Sequence, residues 1–179
     1  MHGSLFSHTE AELIKAARQG DGSAFAELLR PQYQSAFRVA YGLLHDSDEA
    51  EDAVQEAAFK AWRRLGNLRE GSSLRPWFLA IVANQCRNVG RSKWWTVLKT
   101  EPPESEAAAV DVAAGVDLRR ALLRLSYDER LIVVLRYYLD MPFEEIATTL
   151  GISPKAARNR VERAVHRLRP IVQIQGAAV

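Results

Sequence analysis

The C-terminal third of the chain carries a cluster of basic side chains. Between Pro154 and Arg169 a single acid, Glu162, stands among six basic residues: Lys155, Arg158, Arg160, Arg163, Arg167 and Arg169. Cations near a helix C-terminus interact favourably with its dipole, but that effect does not need six of them. Binding to a phosphate backbone does use many cations, because each neutralised phosphate releases counterions. The cluster indicates a nucleic-acid-binding helix; the alternative is a solvated basic face on a structural helix.

The residues before this cluster predict how it is presented. Apolar spacing favours a helix from Phe143 to Leu150, a turn at Gly151, and a second helix that Ser153 caps, Pro154 begins and Leu168 ends. This is helix-turn-helix geometry, in which the N-terminal turns of the second helix enter the major groove first. Ser153 caps that helix, Lys155, Arg158 and Asn159 are placed for base edges, and Arg160, Arg163 and Arg167 are placed for phosphates.

A second cluster is acidic. From His45 to Ala57 there are six acids and no Lys or Arg. Within the predicted helix Asp48–Leu65, one face opposite a stripe of alanines carries Asp52, Gln55, Glu56, Phe59 and Arg63. An acidic surface repels nucleic acid, and an aromatic on a polar face is typical of protein interfaces. The face predicts a protein partner; the alternative is a solvated acidic surface.

A third set of polar residues lies on the predicted helix Leu74–Arg91. One side of the helix carries Arg75, Asn84, Arg87, Asn88 and Arg91, and Trp77 stands near the helix start. Guanidinium and amide groups contact phosphates and base edges, and aromatic rings stack on unpaired bases. The alternative for Trp77 is ordinary packing in the core.

The overall pattern predicts an all-α protein of two small helical domains joined by a flexible linker, the second domain containing the helix-turn-helix. The first domain is expected over 9–95 and the second over 117–170. Between them, 96–116 is alanine-rich and acidic, with too few large apolar side chains to offset its ordering entropy. Capping boxes at Thr9–Glu12 and Ser126–Glu129 predict two helix starts.

Composition excludes several functional classes. The 24 Lys and Arg nearly balance the 22 Asp and Glu, and the one cysteine, Cys86, excludes disulfides and cysteine-based zinc fingers. The chain has no glycine-rich phosphate motif, no zinc-ligand cluster, and no nucleophile with an arranged base. We therefore expect no catalytic residue, metal or cofactor. No apolar run is long enough to span a bilayer, which favours a soluble, cytoplasmic protein without membrane insertion.

Three motifs in order resemble bacterial sigma factors of the extracytoplasmic-function (ECF) group. Asp48–Glu56 with Ala61-Trp62 resembles the family's region 2.2, and Leu74–Ile81 with Ala83-Asn84 resembles regions 2.3 and 2.4. Glu144–Ala147, Leu150–Ser153, Arg160 and Arg163-Ala164 resemble region 4.2. The resemblance covers roughly residues 27–169.

This resemblance implies a non-enzymatic transcription initiation factor that binds core RNA polymerase and promoter DNA. The region 2.2 face would bind the polymerase clamp, the Leu74–Arg91 helix would capture and melt the −10 element, and the second helix of the helix-turn-helix would read the −35 element. An anti-sigma factor is a further partner of such proteins. Asn88, Pro142 and Lys155–Ala157 depart from common family residues, which leaves base preference open. The alternative is a stand-alone helix-turn-helix regulator whose N-terminal domain senses a ligand or dimerises.

Overall fold

A computed structural model describes residues 9–97 and 121–176, with side chains for residues 9–90 and 121–168. Nearly all of the linker predicted at 96–116 lies outside the described residues. Every regular element in the described ranges is helical, and the helices form two groups in the order of the predicted domains.

The N-terminal domain contains five helices: α1 (Glu10–Arg18), α2 (Gly22–Leu29), α3 (Tyr33–Leu44), α4 (Ser47–Arg64) and α5 (Leu74–Val97). The predicted capping box begins α1, because Thr9 accepts from the Glu12 amide and Glu12 accepts from the Thr9 amide. A 3-10 turn containing Pro31 separates α2 from α3, as expected where proline interrupts a helical run.

Small side chains allow α4 to pack closely against its neighbours. Ala50, Ala53, Ala57 and Ala61 are all buried along one side of the helix. Asp46 caps its start by accepting a hydrogen bond from the Glu49 amide at 3.0 Å. The burial of this stripe fixes which side of α4 faces outward.

The C-terminal domain contains α6 (Tyr127–Val133), a π-helical turn at Val134–Tyr138, α7 (Phe143–Leu150) and α8 (Pro154–Gly176). Ser126 and Glu129 form the second predicted capping box. Gly151 ends α7 with φ of 64°, a conformation that costs glycine little. The predicted helix-turn-helix is therefore confirmed in the bounds of its first helix, in its turn and in the start of its second helix.

Two helices are longer than the sequence predicts. Helix α5 runs through Gly90 to Val97, beyond the expected end at Arg91, and α8 continues past Leu168 to Gly176. A single glycine inside a helix costs only about 1 kcal/mol relative to alanine. The flanking turns of a long helix can offset that cost, so Gly90 does not end α5.

The two domains pack directly on each other, a contact that the sequence does not predict. Buried apolar side chains of both domains form one continuous core. At one point of the contact Gly42 of α3 faces Val134, and a Cβ added to Gly42 would lie 3.0 and 3.1 Å from the two Val134 methyl groups. Any larger side chain would require Val134 to shift by a few tenths of an ångström, so glycine allows the close approach of the two domains here.

Candidate nucleic-acid and protein interfaces

Helix α8 presents its basic side chains to solvent. Ala157, Val161 and Ala164 are buried against the rest of the domain, which turns Lys155, Arg158, Asn159, Arg160 and Arg163 outward and leaves them exposed. The Ser153 hydroxyl accepts from the Ala156 amide at 3.2 Å and so caps the helix. The predicted DNA-reading side chains are thus brought together on one accessible face.

One of these side chains is held in place by an aromatic ring. The Arg158 guanidinium lies 4.8 Å from the centroid of the Phe143 ring, and Arg136 lies 5.0 Å from the same centroid. Arg136 also donates to the Met141 carbonyl at 2.9 Å. Because these cation–π contacts restrict the guanidinium, Arg158 is partly pre-positioned at the start of α8.

Arg167 has a partner within its own domain. Its guanidinium lies 2.8 Å from the Glu129 carboxylate at the start of α6. Partial burial alone would raise the pKa of Glu129, but hydrogen bonds from Ser126 and the charge of Arg167 lower it below its usual value. A broad open groove of about 850 Å³ runs along Asn159, Arg163 and Arg167, so Arg167 still borders the face that the other basic residues share.

The acidic face of α4 is exposed as predicted. Asp52, Gln55, Glu56 and Arg63 are exposed, and Phe59 is 56% exposed in their midst. The Arg63 guanidinium lies 5.8 Å from the Phe59 ring centroid. A shallow groove of about 440 Å³ continues from Asp52 and Glu56 towards α5. An apolar ring surrounded by charge on an otherwise polar surface is the composition of a protein-binding anchor.

The basic side of α5 differs from expectation, because much of it faces the C-terminal domain. Asn84 and Asn88 are exposed and Trp77 is half-buried against the core, while the side chain of Arg91 lies outside the described residues. One guanidinium nitrogen of Arg75 donates to both carboxylate oxygens of Glu145, at 2.7 and 2.8 Å. In the predicted set, the amides of Asn84 and Asn88 are therefore accessible, whereas Arg75 is paired with an acid of the other domain.

Arg87 is paired in the same way. It donates to the Asp128 carboxylate, and its guanidinium lies 4.6 Å from the Tyr127 ring centroid. The Tyr127 hydroxyl in turn donates to the Ala83 carbonyl of α5, and burial raises the pKa of Tyr127. Sequence reasoning missed Glu145 and Asp128, since no local pattern marks an acid whose partner is 70 or 41 residues away.

The described part of the chain contains neither a metal site nor a membrane-spanning helix. Among those residues no group of histidine, cysteine, aspartate and glutamate side chains is arranged to hold a metal ion. Within the same ranges no helix is long and apolar enough to cross a membrane.

Comparison with known families identifies the two domains. Residues 28–96 match the family model "Sigma-70 region 2", and residues 115–168 match "Sigma-70, region 4". The ECF RNA polymerase sigma factor SigM of Mycobacterium tuberculosis is 32% identical over 173 residues, which cover 93% of this chain and 86% of SigM. The chain belongs to the ECF RNA polymerase sigma factors.

Further relatives agree with this assignment. The RNA polymerase sigma-H factor of Pseudomonas aeruginosa is 29% identical over 184 residues, covering 89% of this ECF sigma factor and 92% of that protein. The sigma factor RpoE of Bartonella quintana, solved with the anti-sigma factor NepR, is 25% identical with a TM-score of 0.65, covering 84% of this chain and 97% of that one. CnrH, solved with the cytosolic domain of CnrY, shares the fold at 21% identity, with a TM-score of 0.70 and 92% and 97% coverage.

As an ECF sigma factor, the protein is a transcription initiation factor that binds RNA polymerase and directs it to promoters. Its region 2 comprises α3 to α5 and its region 4 ends in the helix-turn-helix of α7 and α8. A stand-alone helix-turn-helix regulator is not favoured, because the N-terminal domain matches region 2 and not a sensing domain.

Proposed function

We propose that three surfaces of this sigma factor bind three different partners during transcription initiation. The α4 face of Asp52, Gln55, Glu56, Phe59 and Arg63 binds the clamp of core RNA polymerase. The α5 residues Arg75, Trp77, Asn84, Arg87, Asn88 and Arg91 bind the −10 element as it melts. The −35 element is bound by the α8 residues Ser153, Lys155, Arg158, Asn159, Arg160, Arg163 and Arg167.

The observation that carries the proposal is the charge contrast between two exposed faces. The face of α4 presents carboxylates around an exposed Phe59, whereas the face of α8 presents cations. A polyanion approaches the second face and is repelled by the first. The α4 face is therefore assigned to a protein and the α8 face to duplex DNA.

The −10 assignment rests on the chemistry of α5. Exposed Asn84 and Asn88 offer amides to base edges, and the two paired arginines offer cations to phosphates. Trp77 has a partly accessible ring near the start of the helix, where stacking on an unpaired base contributes about 1–3 kcal/mol. Together these groups favour single-stranded DNA over an intact duplex.

Further properties follow from this role. A factor whose reaction is carried out by the polymerase requires no catalytic residue of its own, so we place the protein among non-enzymatic factors that act with polymerase in the cytoplasm. The RpoE and CnrH structures contain NepR and the cytosolic domain of CnrY, respectively. By analogy with the NepR complex, we propose that an anti-sigma factor also binds this chain.

Transcription in vitro tests the polymerase surface. Purified core polymerase and a promoter library are combined with wild-type protein or with the Phe59→Ala/Glu56→Arg double variant. Loss of a central aromatic anchor costs about 2 kcal/mol or more, or roughly 30-fold in affinity. We expect the double variant to lose polymerase pull-down and transcription while its thermal unfolding is unchanged.

Tyr33→Ala is the matched control, because Tyr33 is 44% exposed on α3, outside the assigned surfaces. It should retain polymerase binding. Wild-type affinity of the double variant for core polymerase would overturn the α4 assignment.

A further inference from the structure

Helix α1 is tied to both ends of the connecting segment, residues 65–73, which joins α4 to α5. At the first end, the Arg18 guanidinium donates from Nε to the Leu65 carbonyl at 3.3 Å and from a second nitrogen to the Leu68 carbonyl. At the other end, a carboxylate oxygen of Glu10 accepts from the Leu74 amide at 2.7 Å. One helix thus bridges the end of α4 and the start of α5.

The connecting segment is buried at its ends and exposed in its middle. The three leucines that these hydrogen bonds reach are at most 4% exposed, whereas every residue from 69 to 73 is exposed. The Ser72 amide donates to the Arg69 carbonyl at 3.1 Å, and Gly71 between them has φ of 71°, which glycine adopts readily in a tight turn. An exposed turn with little buried surface depends for its position on what holds its ends.

The two ties satisfy backbone groups that a helix cannot satisfy by itself. Leu65 directly follows α4 and Leu74 begins α5. The last carbonyls and the first amides of a helix have no partner within it. A cation at the end of α4 and a carboxylate at the start of α5 also have the charges that the helix dipoles favour. Arg18 and Glu10 therefore act as capping groups that a third helix supplies.

Helix α1 is anchored independently of these two residues. Its Leu13 and Ala17 are buried in the core, and its start is closed by the capping box of Thr9–Glu12. Glu10 and Arg18 lie eight positions apart, or about 12 Å along the helix axis. Because neither residue is needed for α1 to fold, replacing one of them should release the connecting segment and leave α1 in place.

The ties link two of the three proposed surfaces. Helix α4 carries the proposed polymerase face, and α5 begins with residues proposed for the −10 element. Trp77 stands about one turn after Leu74, so a change in the direction of α5 at Leu74 would move the Trp77 ring relative to the α4 face. A binding surface that is already in place loses less entropy when it meets its ligand.

We propose that α1 is a brace for −10 recognition, in which Glu10 and Arg18 are positioning residues that fix the start of α5 relative to the polymerase face of α4. The brace rests on the proposed −10 role of α5. Helix α1 precedes residues 28–96, which match the region 2 family model, so the brace is supplied by a part of the chain outside that match. Glu10 and Arg18 act through Leu74 and the connecting segment and need not touch DNA themselves.

Promoter selection with core polymerase and the full chain tests the brace. Wild type, Glu10→Ala and Arg18→Ala are each given one library with a randomised −10 element and another with a randomised −35 element. We expect each variant to lose about fivefold in preference for the best −10 sequences, equivalent to about 1 kcal/mol, with −35 preference and polymerase pull-down unchanged. Wild-type −10 preference in both variants would overturn the brace. So would a uniform loss of transcription with the −10 preference retained, because that is the effect of lower stability alone.

Glu10→Gln tests whether the hydrogen bond to Leu74 is the cause, because the glutamine oxygen can still accept from that amide. It should keep the wild-type −10 preference, and a loss as large as that of Glu10→Ala would overturn the assigned tie. Glu27→Ala and Arg30→Ala are the matched controls, since they remove the same charges at exposed positions in and just after α2. Both should select as wild type does, and an equal loss in them would attribute the effect to net charge and overturn the brace.

Asn84→Ala/Asn88→Ala separates the brace from the proposed function, because both amides belong to the proposed −10 surface and neither belongs to the brace. If this double variant changes the −10 preference while the α1 variants do not, only the brace fails. An unchanged −10 preference in the double variant would contradict the −10 role of α5 and, with it, the brace.

Discussion

The Arg158 guanidinium lies 4.8 Å from the centroid of the Phe143 ring, so the first helix of the helix-turn-helix positions a side chain of the second. An unrestrained arginine loses considerable rotamer freedom when it contacts a base, up to about 2 kcal/mol. Part of that loss is already incurred in the folded domain. We therefore expect Phe143 to position Arg158 for the predicted contact with promoter DNA.

Phe143→Leu should lower discrimination at the base pair that Arg158 contacts, because leucine keeps an apolar side chain but removes the ring. We expect a decrease of about two- to fivefold, corresponding to a cation–π contribution of about 0.5–1 kcal/mol. Selection from randomised −35 elements measures it. Phe143→Tyr should restore the preference, and a preference that is identical in all three proteins would exclude a positioning role.

Arg158→Ala and Arg163→Ala should have different effects on the binding of −35 DNA. Arg158 begins the helix and is placed for a base edge, where a good contact gives about 1–3 kcal/mol of discrimination. Arg163 lies further along the helix, where its Nε donates to the Asn159 carbonyl at 3.3 Å, and its predicted partner is a phosphate. We expect Arg158→Ala to change which −35 sequences are used, and Arg163→Ala to weaken all sequences and flatten the salt dependence.

Titrating salt against several −35 duplexes measures both effects. A uniform loss of affinity for Arg158→Ala, with its sequence preference retained, would place Arg158 on phosphate.

Cys86 should be unreactive in the folded protein. It is fully buried on α5, and burial raises its pKa to about 12. The thiolate is the reactive form, and at pH 8 only about one thiol in ten thousand would be ionised at such a pKa. A thiol reagent should label the native protein only as fast as it unfolds, and should label it at once in denaturant. Rapid labelling under native conditions would contradict the packing of α5.

Glu129→Gln should reduce stability at neutral pH and have no effect in acid. The folded-state pKa of Glu129 is lowered, so its ionised form contributes stability above the ordinary pKa of about 4.3 and loses it as pH falls through the lowered value. The side chain remains partly accessible, so we expect a difference of only about 0.5 kcal/mol.

Urea unfolding between pH 3 and 7 measures that difference. Glu27→Gln, at an exposed position of α2, should be unaffected throughout. A stability difference that persists unchanged to pH 3 would show that the charge of Glu129 is not its cause.

The sequence predicts this fold well wherever the determinant is local. Thr9 with Glu12, Ser126 with Glu129, and Gly151 each fix a helix end through residues only a few positions away. The exposed position of Phe59 also follows from periodicity, since the alanines on the other side of α4 must be buried. These features needed no knowledge of the tertiary structure.

What the sequence did not predict depends on distant partners. From the sequence alone, Arg75 is predicted to be a free DNA-binding cation. The structure pairs it with Glu145, 70 residues later in the chain. Arg167 likewise belongs to a predicted phosphate-binding row, and its pairing with Glu129 appears only when α6 and α8 are packed. The residues assigned to the three surfaces remain predictions, because their exposure shows access and not contact.

The π-helical turn at Val134–Tyr138 determines how the chain that follows it is rotated about the helix axis. The Leu139 amide donates to the Val134 carbonyl, five residues back, at 3.1 Å, so the turn contains one residue more than an α-helix would use. Deleting one residue there would restore the ordinary spacing and rotate the downstream chain by about 100° around the helix axis. The helix-turn-helix could fold unchanged and yet point its reading face in another direction. The direction of that face relative to α6 thus depends partly on a single surplus residue.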